Sequence, residues 1–477
     1  MPKKKPRRPA ANRSPKRSAQ GRGGTNARSK SELHRQGIWP RFSSQLEAQS
    51  LALQVQLQDT ERWPAAKLLE HQLIQIQNVI NHAHATVPFY QERLAEFADW
   101  PPGLLTLQRF RDIPTLSRTE VQEAGTRLHS RRLPPGHKPT YSVKTSGSSG
   151  KPVEVLGTPV TTVMMAALTM RGHLWHGRDL STKNLSFRAT NVSGTDKLVA
   201  RWAPLPYTGP GVVIDFTQHM SVLFEHLLRE NPCYLQTHPF VVLGLVQLSA
   251  ETGRKPESLR EVRTYGETLD PWVRELCREV WGVPIADNYS AEEFGIIAHQ
   301  CPQSEALHVQ CENVLVEVLD DQGEPCAAGQ SGRVVVTSLL NYATPLIRYE
   351  LEDIVEVGAP CDCGRGLPVL KRIRGRVKNM VHLPNGETCF PEVWKELFTI
   401  TKIRQFQMIQ TSLHDILLKC VVSEPLDDAE RQSAIASIRK KLLYDFDVQI
   451  SYVDDIPRDP SGKYQDFKSD LGDLAGL

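Results

Sequence analysis

The octapeptide Thr145-Ser-Gly-Ser-Ser-Gly-Lys-Pro152 is the most informative stretch of the sequence. Gly147 and Gly150 let the backbone bend sharply and approach a ligand closely. Lys151 adds a positive charge, and successive backbone N–H groups in such a turn form a nest for an anion. Hydroxyl groups for the same anion come from Thr145, Ser146, Ser148 and Ser149. The stretch predicts an anion-binding loop, with a flexible Ser/Gly hairpin turn as the alternative.

The segments around this loop alternate between strand and helix patterns. Two β-rich pieces flank it within residues 141–157, and residues 44–98 carry apolar side chains at helical spacing. From 160 to 300, short apolar runs alternate with helical patterns, which is typical of an α/β core. The clearest succession of strand, helix and strand is Glu261–Tyr265, Pro271–Trp281 and Ile285–Tyr289. Residues 314–319 and 332–337 predict two paired strands around a turn.

The C-terminal part has a different pattern. Two strands precede an amphipathic helix and a further strand, in the order Phe406–Ile409, Ile416–Val422, Asp428–Phe446 and Val448–Val453. This order predicts a compact α+β unit. A stretch with Gly and Asn at 376–386 marks the boundary before it. We therefore predict three parts: a disordered basic tail at 1–37, a large domain at 38–376 and a small α+β domain at 377–477.

The composition is that of a globular protein. Of 477 residues, 40% are hydrophobic and 23% are charged, which supplies a sizeable core and excludes wholesale disorder. No apolar run approaches the ~18 residues that a membrane helix needs. Nine cysteines are too few for a disulfide-stapled miniprotein. With no secretory signal, they predict reduced thiols and a cytoplasmic location.

The positive charge is concentrated in the tail. Residues 1–37 contain twelve Lys or Arg residues and one acid, Glu32, whereas the remainder contains 45 basic and 53 acidic residues. The tail has too few large apolar residues to offset the entropy of ordering. Its charge predicts a weak contact with nucleic acid or an anionic surface, or a nuclear-localisation-like run at Lys3–Arg8. The alternative is a solvated extension with no specific partner.

Further motifs occur in a fixed order along the chain. They are His82–Tyr90, Asp112-Ile-Pro-Thr-Leu116, Tyr289-Ser-Ala-Glu-Glu-Phe-Gly295, Pro345-Leu-Ile-Arg-Tyr349, Cys363-Gly-Arg365, Gly375-Arg376 and Pro460-Ser-Gly-Lys463. Together with the loop they resemble the acyl-adenylate-forming superfamily, and within it phenylacetate–CoA ligase and its relatives. The likeness covers nearly everything after residue 65. It implies an α/β fold with a large, multi-sheet adenylate-forming N-terminal domain and a small, mobile α+β C-terminal domain.

The resemblance implies carboxylate activation by ATP, in which positioning and cationic shielding of two anions are the main tasks. Lys463 would lie between the carboxylate and the α-phosphate and stabilise charge in the transition state. Lys151, with the loop from Thr145 to Gly150, would bind the phosphates. Glu293 would ligate Mg²⁺, a hard cation that takes its remaining ligands from phosphates and water. The alternative for each residue, taken alone, is a position without a catalytic role. Lys463 would be a solvated lysine in a turn, Lys151 a lysine in a flexible loop and Glu293 a glutamate at the start of a helix.

The resemblance also implies a nucleotide pocket. Asn288 and Tyr289 would line the adenine pocket, with the tyrosine ring giving stacking area. Gly266 and Glu267 lie at the strand end where relatives contact adenine through the backbone. Asp353 would accept hydrogen bonds from both ribose hydroxyls. The remaining member of the pocket, beside the nucleotide, would be Arg376.

Three positions depart from the family pattern. Glu292 replaces the usual Thr or Ser before the metal-binding acid, and this like charge is expected to raise one carboxyl pKa or to recruit an extra cation. Glu352 replaces a glycine before Asp353. Lys378-Asn379 replaces the acidic pair after the hinge Gly-Arg. In relatives the small domain pivots there between adenylation and thioester formation, so these changes put the second half-reaction in doubt.

Four residues have the chemistry of a structural zinc site. Cys301 and His308 flank a short turn, and Cys361-Asp-Cys363 forms a C-x-C knuckle. Tetrahedral Cys₃His coordination is typical of structural Zn²⁺. Several ligases of this type have the same pattern. The alternative is a set of buried free thiols and a turn histidine.

The sequence predicts an AMP-forming ligase that uses ATP and Mg²⁺ to convert a carboxylic acid to an acyl-adenylate. Transfer to coenzyme A would follow, with an aryl or arylacetic acid as the default substrate from the family likeness. One alternative is transfer to an amine, which would form an amide. Another is a non-catalytic, nucleotide-binding scaffold derived from this family.

Overall fold

The structure, a computed structural model, describes residues 43–98, 104–145, 152–189, 197–205, 207–458 and 463–471. The predicted basic tail at 1–37 lies outside this range. So does the anion-binding loop after Thr145, and with it the predictions made for Ser146, Gly147, Ser148, Ser149, Gly150 and Lys151. The same holds for the motif residues before Lys463.

Eleven α-helices occur in the described part of the chain. They are α1 Gln45–Thr60, α2 Ala65–Thr86, α3 Tyr90–Arg93, α4 Leu107–Arg111, α5 Arg118–Ala124, α6 Pro159–Trp175, α7 Met220–Glu230, α8 Pro239–Thr252, α9 Pro271–Trp281, α10 Trp394–Phe398 and α11 Asp428–Leu442. None of these described helices has the length and apolarity required to cross a bilayer.

The strands form four sheets among the described residues. Up to the hinge they are β1 Tyr141–Lys144, β2 Glu154–Gly157, β3 Asn184–Phe187, β4 Lys197–Arg201, β5 Pro210–Ile214, β6 Tyr234–Thr237, β7 Glu261–Tyr265, β8 Ile285–Ala291, β9 Gly295–Gln300, β10 Leu307–Val309, β11 Val314–Leu319, β12 Ser331–Ser338, β13 Tyr349–Val357 and β14 Val369–Arg376. After the hinge they are β15 Val381–His382, β16 Thr388–Cys389, β17 Ile403–Gln410, β18 Asp415–Val422, β19 Asp447–Tyr452 and β20 Phe467–Ser469.

A twelve-stranded sheet organises the larger part, in the order β11-β12-β13-β14-β10-β9-β8-β7-β6-β3-β5-β4. Neighbouring strands from β5 through β3, β6 and β7 to β8 are parallel. Their carboxyl ends therefore meet at one edge, where ligands bind in open α/β sheets. The strands from β8 to β11 pair antiparallel and extend the sheet. The predicted α/β fold with several sheets and a C-terminal α+β part is confirmed.

Helix α9 shows how local sequence sets these elements. Asp270 caps its first turn by accepting a hydrogen bond from the backbone of Trp272. Pro271 fits the first turn because its missing N–H would have no helical partner there. Gly282 ends the helix at a φ of 75°, in the left-handed region that favours glycine. The predicted bounds of this helix, Pro271–Trp281, are confirmed.

The C-terminal part is built on a four-stranded sheet in the order β19-β18-β17-β20. Helix α11 connects β18 to β19, as predicted, but it ends at Leu442 rather than at Phe446. Leu443 adopts a left-handed φ of 53°, which stops the helical hydrogen-bond pattern. Buried side chains of this part, such as Phe406 and Phe467, belong to the same hydrophobic cluster as helices α8 and α9. The domain division at residues 376 and 377 stays a prediction.

Candidate active site

A cavity of about 660 Å³ lies at the carboxyl ends of β7 and β8, against the C-terminal part. Its lining includes seven of the predicted site residues: Gly266, Glu267, Asn288, Tyr289, Asp353, Arg376 and Lys463. These residues lie on or just after four strands and in the segment that precedes β20, far apart in sequence. The fold thus brings together in one cleft seven of the nine predicted catalytic and nucleotide-binding residues that the structure describes.

Three side chains form one end of this cleft. The Tyr289 hydroxyl donates to Asp353 Oδ2 over 2.6 Å, and Arg376 Nε lies 3.3 Å from Asp353 Oδ1. Asp353 and Arg376 face each other directly in the β13–β14 register. Burial raises the pKa of Tyr289 well above its ordinary value, and the Asp353 charge raises it further. Tyr289 therefore keeps its proton throughout the physiological pH range and donates it to the Asp353 side chain.

Asn288 precedes Tyr289 on β8 and is fixed from two sides. Its side-chain Nδ2 donates to the carbonyl of Thr264 over 3.3 Å. Its Oδ1 lies 2.6 Å from His299 Nδ1, and the other ring nitrogen of His299 lies 2.9 Å from the carbonyl of Leu168. Burial lowers the pKa of His299 to about 3, so the imidazole is neutral and its single N–H donates to only one of these two oxygens. The orientation of Asn288 is set by these contacts before any ligand arrives.

Glu293 lies beside the start of the predicted anion-binding loop. Arg118 joins the two: its Nη2 donates to Thr145 Oγ1 over 2.7 Å, and its Nη1 lies 3.4 Å from Glu293 Oε1. Sequence reasoning missed Arg118, although it follows the motif Asp112–Leu116 closely. The Glu293 side chain is 6% exposed, and burial raises its pKa, with Glu292 adding a smaller like-charge effect.

The Glu293 carboxylate fits the role of a single Mg²⁺ ligand. A magnesium ion held mainly by phosphates and water needs one or two protein oxygens rather than a complete cage. Glu293 offers such an oxygen a short distance from Thr145, where the predicted phosphate loop begins. The assignment of Mg²⁺ to Glu293 stays a prediction.

Lys463 approaches the large sheet at Gly266. A Cβ at Gly266 would lie 3.9 Å from Lys463 Cε and 3.0 Å from the His238 ring, a contact tighter than side chains normally make. Gly266 also has a φ of 81°, in the region that favours glycine. A glycine is favoured here by the backbone angle and by the close approach of the His238 ring, whereas Lys463 lies at an ordinary contact distance.

The residue after Lys463 is held by the large part of the molecule. The Tyr464 backbone N–H donates to Glu267 Oε1 over 3.0 Å, and the other oxygen of Glu267 accepts from the Phe240 backbone over 3.2 Å. The Tyr464 ring stacks on Phe240 with a centroid distance of 3.8 Å and an angle of 13°. Arg458, before the undescribed residues 459–462, lies over the Phe216 ring at 4.7 Å.

Glu267 thus has a contact that the sequence did not predict. We expected Gly266 and Glu267 to mark a strand end where the backbone meets adenine. The Glu267 side chain in addition connects two backbone N–H groups, one in α8 and one next to Lys463, and the backbone contact with adenine stays a prediction. The signal was absent from the sequence because both partners are distant along the chain.

The chain is similar in sequence to a known family model and to known ligases. Residues 381–470 match the family model of the CapK C-terminal domain. The chain is 25% identical over 409 residues to a phenylacetate-coenzyme A ligase of Thermus thermophilus, which covers 77% of this chain and 84% of the relative. A phenylacetate-coenzyme A ligase of Pseudomonas putida is 23% identical and covers 79% and 87% respectively.

The solved structure of 2-hydroxyisobutyryl-CoA ligase in its post-adenylation state, in complex with 2-HIB-AMP, has the same fold. It superimposes with a TM-score of 0.70 at 20% identity, over 86% of this chain and 91% of that one. The chain is thus similar in sequence to phenylacetate-coenzyme A ligases and shares the fold of an adenylate-forming CoA ligase. The same ligase in its thioesterification state gives a TM-score of 0.58.

One departure from the superfamily pattern has a backbone consequence. Glu352, which stands in the place of a glycine, has a φ of 62°, in the left-handed region. A non-glycine residue in this region costs roughly 1–2 kcal/mol. The backbone at this position is therefore one that glycine would adopt without strain. The Glu352 charge also raises the pKa of the neighbouring Arg376, after the larger effect of Asp353.

The predicted hinge follows Arg376 directly. Residues Val377–Asn379 form a 3-10 turn, and Lys378 lines the cleft. A cation at this position agrees with the departure noted in the sequence, and the role of a hinge stays a prediction.

The four predicted zinc ligands lie together on the side of β10 and the β13–β14 loop. All their ligand atoms are within 4.8 Å of one another in the cluster Cys301, His308, Cys361 and Cys363. The Cys301 and Cys361 sulfurs are 3.7 Å apart, and Cys363 Sγ lies 3.3 Å from His308 Nε2. Three thiols and one imidazole at this spacing fit a tetrahedral Zn²⁺. The cluster supports the zinc prediction, which stays a prediction of a structural site.

Proposed function

We propose that this protein is an AMP-forming acid–thiol ligase that activates a carboxylic acid with ATP. The observation that carries this proposal is the cleft in which Tyr289, Asp353 and Arg376 form one end and Lys463 meets Gly266. A nucleotide ribose would find a carboxylate acceptor in Asp353. The α-phosphate would then lie toward Lys463, whose ammonium group approaches the large sheet from the C-terminal part.

The first half-reaction joins two anions, so the residues of this cleft must position and shield them. A carboxylate oxygen attacks the α-phosphorus, the bond to the β-phosphate oxygen breaks, and pyrophosphate leaves. Lys463 and Arg376 offset the charge that develops on the α-phosphate oxygens. Glu293 would hold Mg²⁺, which shields the phosphates when it is bound. Arg118 keeps Glu293 next to the start of the loop at Thr145.

The second half-reaction releases AMP when a thiolate attacks the acyl carbon. We propose coenzyme A as the thiol, since the curated relatives are phenylacetate-coenzyme A ligases. The same relatives make an aryl or arylacetic acid the first substrate to test. We also propose a cytoplasmic location, because the nine cysteines of the described chain are all free and the zinc ligands need reduced thiols.

The test is acid-dependent ATP–pyrophosphate exchange on the purified full chain, without coenzyme A. Wild-type protein is expected to exchange with one class of acid, and Lys463→Ala to lower that exchange by about 100-fold or more. ATP binding by Lys463→Ala, measured by calorimetry, controls for folding. Protein that binds ATP but exchanges with no acid would contradict the adenylation function and favour a nucleotide-binding scaffold.

A second assay separates thiol from amine acceptors. After exchange has named an acid, AMP release is compared with coenzyme A and with a panel of primary amines. The proposal expects a thioester product; an amide product with no thioester would replace coenzyme A by an amine acceptor.

A further inference from the structure

Three arginines are buried among the described residues, and they differ in their partners. Arg171 is 0% exposed and donates to Glu312, and Arg348 is 5% exposed and donates to Glu317. Arg263 on β7 is 7% exposed. In the part of the chain that the structure describes, no carboxylate forms an ion pair with Arg263.

The partners of Arg263 are two neutral amides. Its Nη2 donates to Asn184 Oδ1 over 2.9 Å and to Gln236 Oε1 over 2.8 Å. Its Nε has no acceptor. The nearest acid, Glu261, is occupied: Arg178 Nε and His176 Nδ1 lie 2.5 Å and 3.2 Å from its two oxygens. A buried charge without a counter-charge is costly, and proteins keep one where a ligand supplies the opposite charge.

The place of Arg263 in the sheet connects it to the cleft. It faces Gln236 on one side and Ala286 on the other, and the next row on the same face holds Tyr265 and Asn288. One row corresponds to two residues, roughly 7 Å. Arg263 therefore lies about one row below Asn288, on the side of the sheet away from Asp353 and Arg376.

Two neighbours of Arg263 on this face reach the surface in part. Gln236 and Tyr265 are partly exposed, whereas Arg263 between them is buried, with its guanidinium carbon 5.8 Å from the centroid of the Trp202 ring. The small residue Ser186 stands beyond Gln236 in the register. Above this row, His238 lies between Phe216 and Tyr265 and contacts Gly266, where Lys463 approaches. An acid with its reacting carboxylate at Lys463 would extend from there toward Arg263.

We propose that Arg263 binds a second anionic group of the acid, so that the substrate is a dicarboxylic acid whose distal carboxylate supplies the missing counter-charge. This inference rests on the proposed function and narrows its substrate class. An arginine is suited to the role because it stays charged when buried and can bind a carboxylate through two nitrogens.

The first experiment compares matched acids in the exchange assay: 4-carboxyphenylacetate against 4-methylphenylacetate, and adipate against hexanoate. In at least one pair, the dicarboxylic acid is expected to have a KM about 10- to 100-fold lower than its neutral analogue. A charge-assisted hydrogen bond to Arg263 would produce a difference of this size. Equal or better exchange with the neutral members would overturn the inference and leave the adenylation function standing.

The second experiment uses Arg263→Met, Arg263→Lys and, as a matched control, Arg260→Met. Arg260 lies just before the same strand, but it is exposed and paired with Asp179. The ratio of kcat/KM for charged over neutral acid is expected to fall about 10- to 100-fold in Arg263→Met, to recover partly in Arg263→Lys and to stay at the wild-type value in Arg260→Met. An unchanged ratio in Arg263→Met would overturn the role of Arg263.

Binding without turnover distinguishes this inference from the proposed function. Thermal shift with AMP and each acid is measured on wild-type protein, and on Arg263→Met where that variant folds. A shift given by the dicarboxylic acids and not by their neutral partners supports the inference even if no exchange occurs. No shift with any dicarboxylic acid, together with no exchange, would overturn both.

Discussion

The two ends of the cleft differ in how their charged side chains are paired. At the end formed by Asp353, each charge has an opposite charge nearby, since Arg376 pairs with Asp353 and Arg118 pairs with Glu293. The other end is the region around Arg263, which lies one strand row below Asn288 and does not itself line the cavity; among the described residues, the hydrogen-bond partners of this buried arginine are neutral. The first end is complete, in the sense that its charges are balanced without a ligand. The second end is incomplete, because Arg263 has no ion-pair partner among the described residues. A ligand that supplies the opposite charge contributes most to binding at such a place.

This comparison predicts that ATP binding at the complete end is weakened when Asp353 is removed. Asp353→Ala leaves the Tyr289 hydroxyl without its acceptor and Arg376 without its counter-charge. We expect the KM for ATP in the exchange assay to rise by about 10- to 100-fold, because the ribose loses a charged hydrogen-bond acceptor and the buried Tyr289 hydroxyl loses its partner. The matched control is Glu350→Ala on the same strand, whose partner Arg333 is at the surface. Similar KM values in both variants would contradict the prediction.

The complete end also depends on the hairpin that carries it. Asp353 and Arg376 face each other on β13 and β14, and the cluster with Cys361 and Cys363 lies in the loop that joins these strands. Removal of zinc by Cys363→Ser is expected to lower the melting temperature on the order of 5 °C. Metal analysis should find about one zinc per wild-type chain and none in the variant.

The control for the zinc prediction is Cys326→Ser, a free thiol outside the cluster. It should keep both the metal and the melting temperature. Wild-type protein that contains no zinc and is unaffected by a chelator would show that the cluster is a set of free thiols.

Between the two ends, Glu267 holds the segment of Lys463. Glu267→Gln keeps the size of the side chain but removes the charge that both backbone N–H groups share. We expect the exchange rate to fall about 10-fold, because Lys463 is less well positioned. Thioester formation from a supplied acyl-adenylate should change less. Equal losses in both half-reactions would indicate a general structural defect instead.

The smallest effect concerns pH. Burial raises the pKa of Glu293, so its carboxylate is lost to protonation at a higher pH than an exposed glutamate. The acidic limb of the exchange rate should therefore lie above the ordinary glutamate value of 4.5. Glu292→Gln removes a like charge, lowers this pKa and should move the limb to lower pH by roughly half a unit. The surface variant Glu324→Gln should leave the limb in place; a limb that moves equally in both variants would exclude Glu293 as its origin.

The sequence predicted the complete end better than the incomplete one. Asn288, Tyr289, Asp353 and Arg376 were found because they belong to short motifs in a fixed order. The links made by Arg118 were missed, since its partners Thr145 and Glu293 are 27 and 175 residues away. The sequence also did not predict that Arg263 lacks an ion-pair partner among the described residues, because no local pattern indicates which acidic side chains approach a strand from other elements. Local sequence signals predicted both bounds of helix α9 correctly. The surroundings of Arg263 instead depend on packing between segments that are far apart in the chain.

The flat stacking of Tyr464 on Phe240 has a kinetic consequence. A change in position of the C-terminal part, as occurs between the two half-reactions in relatives, must first separate these rings and expose both faces to water. Aromatic pairs of this kind contribute about 0.5–1.5 kcal/mol beyond the area that they bury. The stack therefore lengthens the time for which a newly formed mixed anhydride stays under Lys463. That dwell time sets how the anhydride divides between productive transfer and loss to water, and hence how much ATP is consumed per molecule of product.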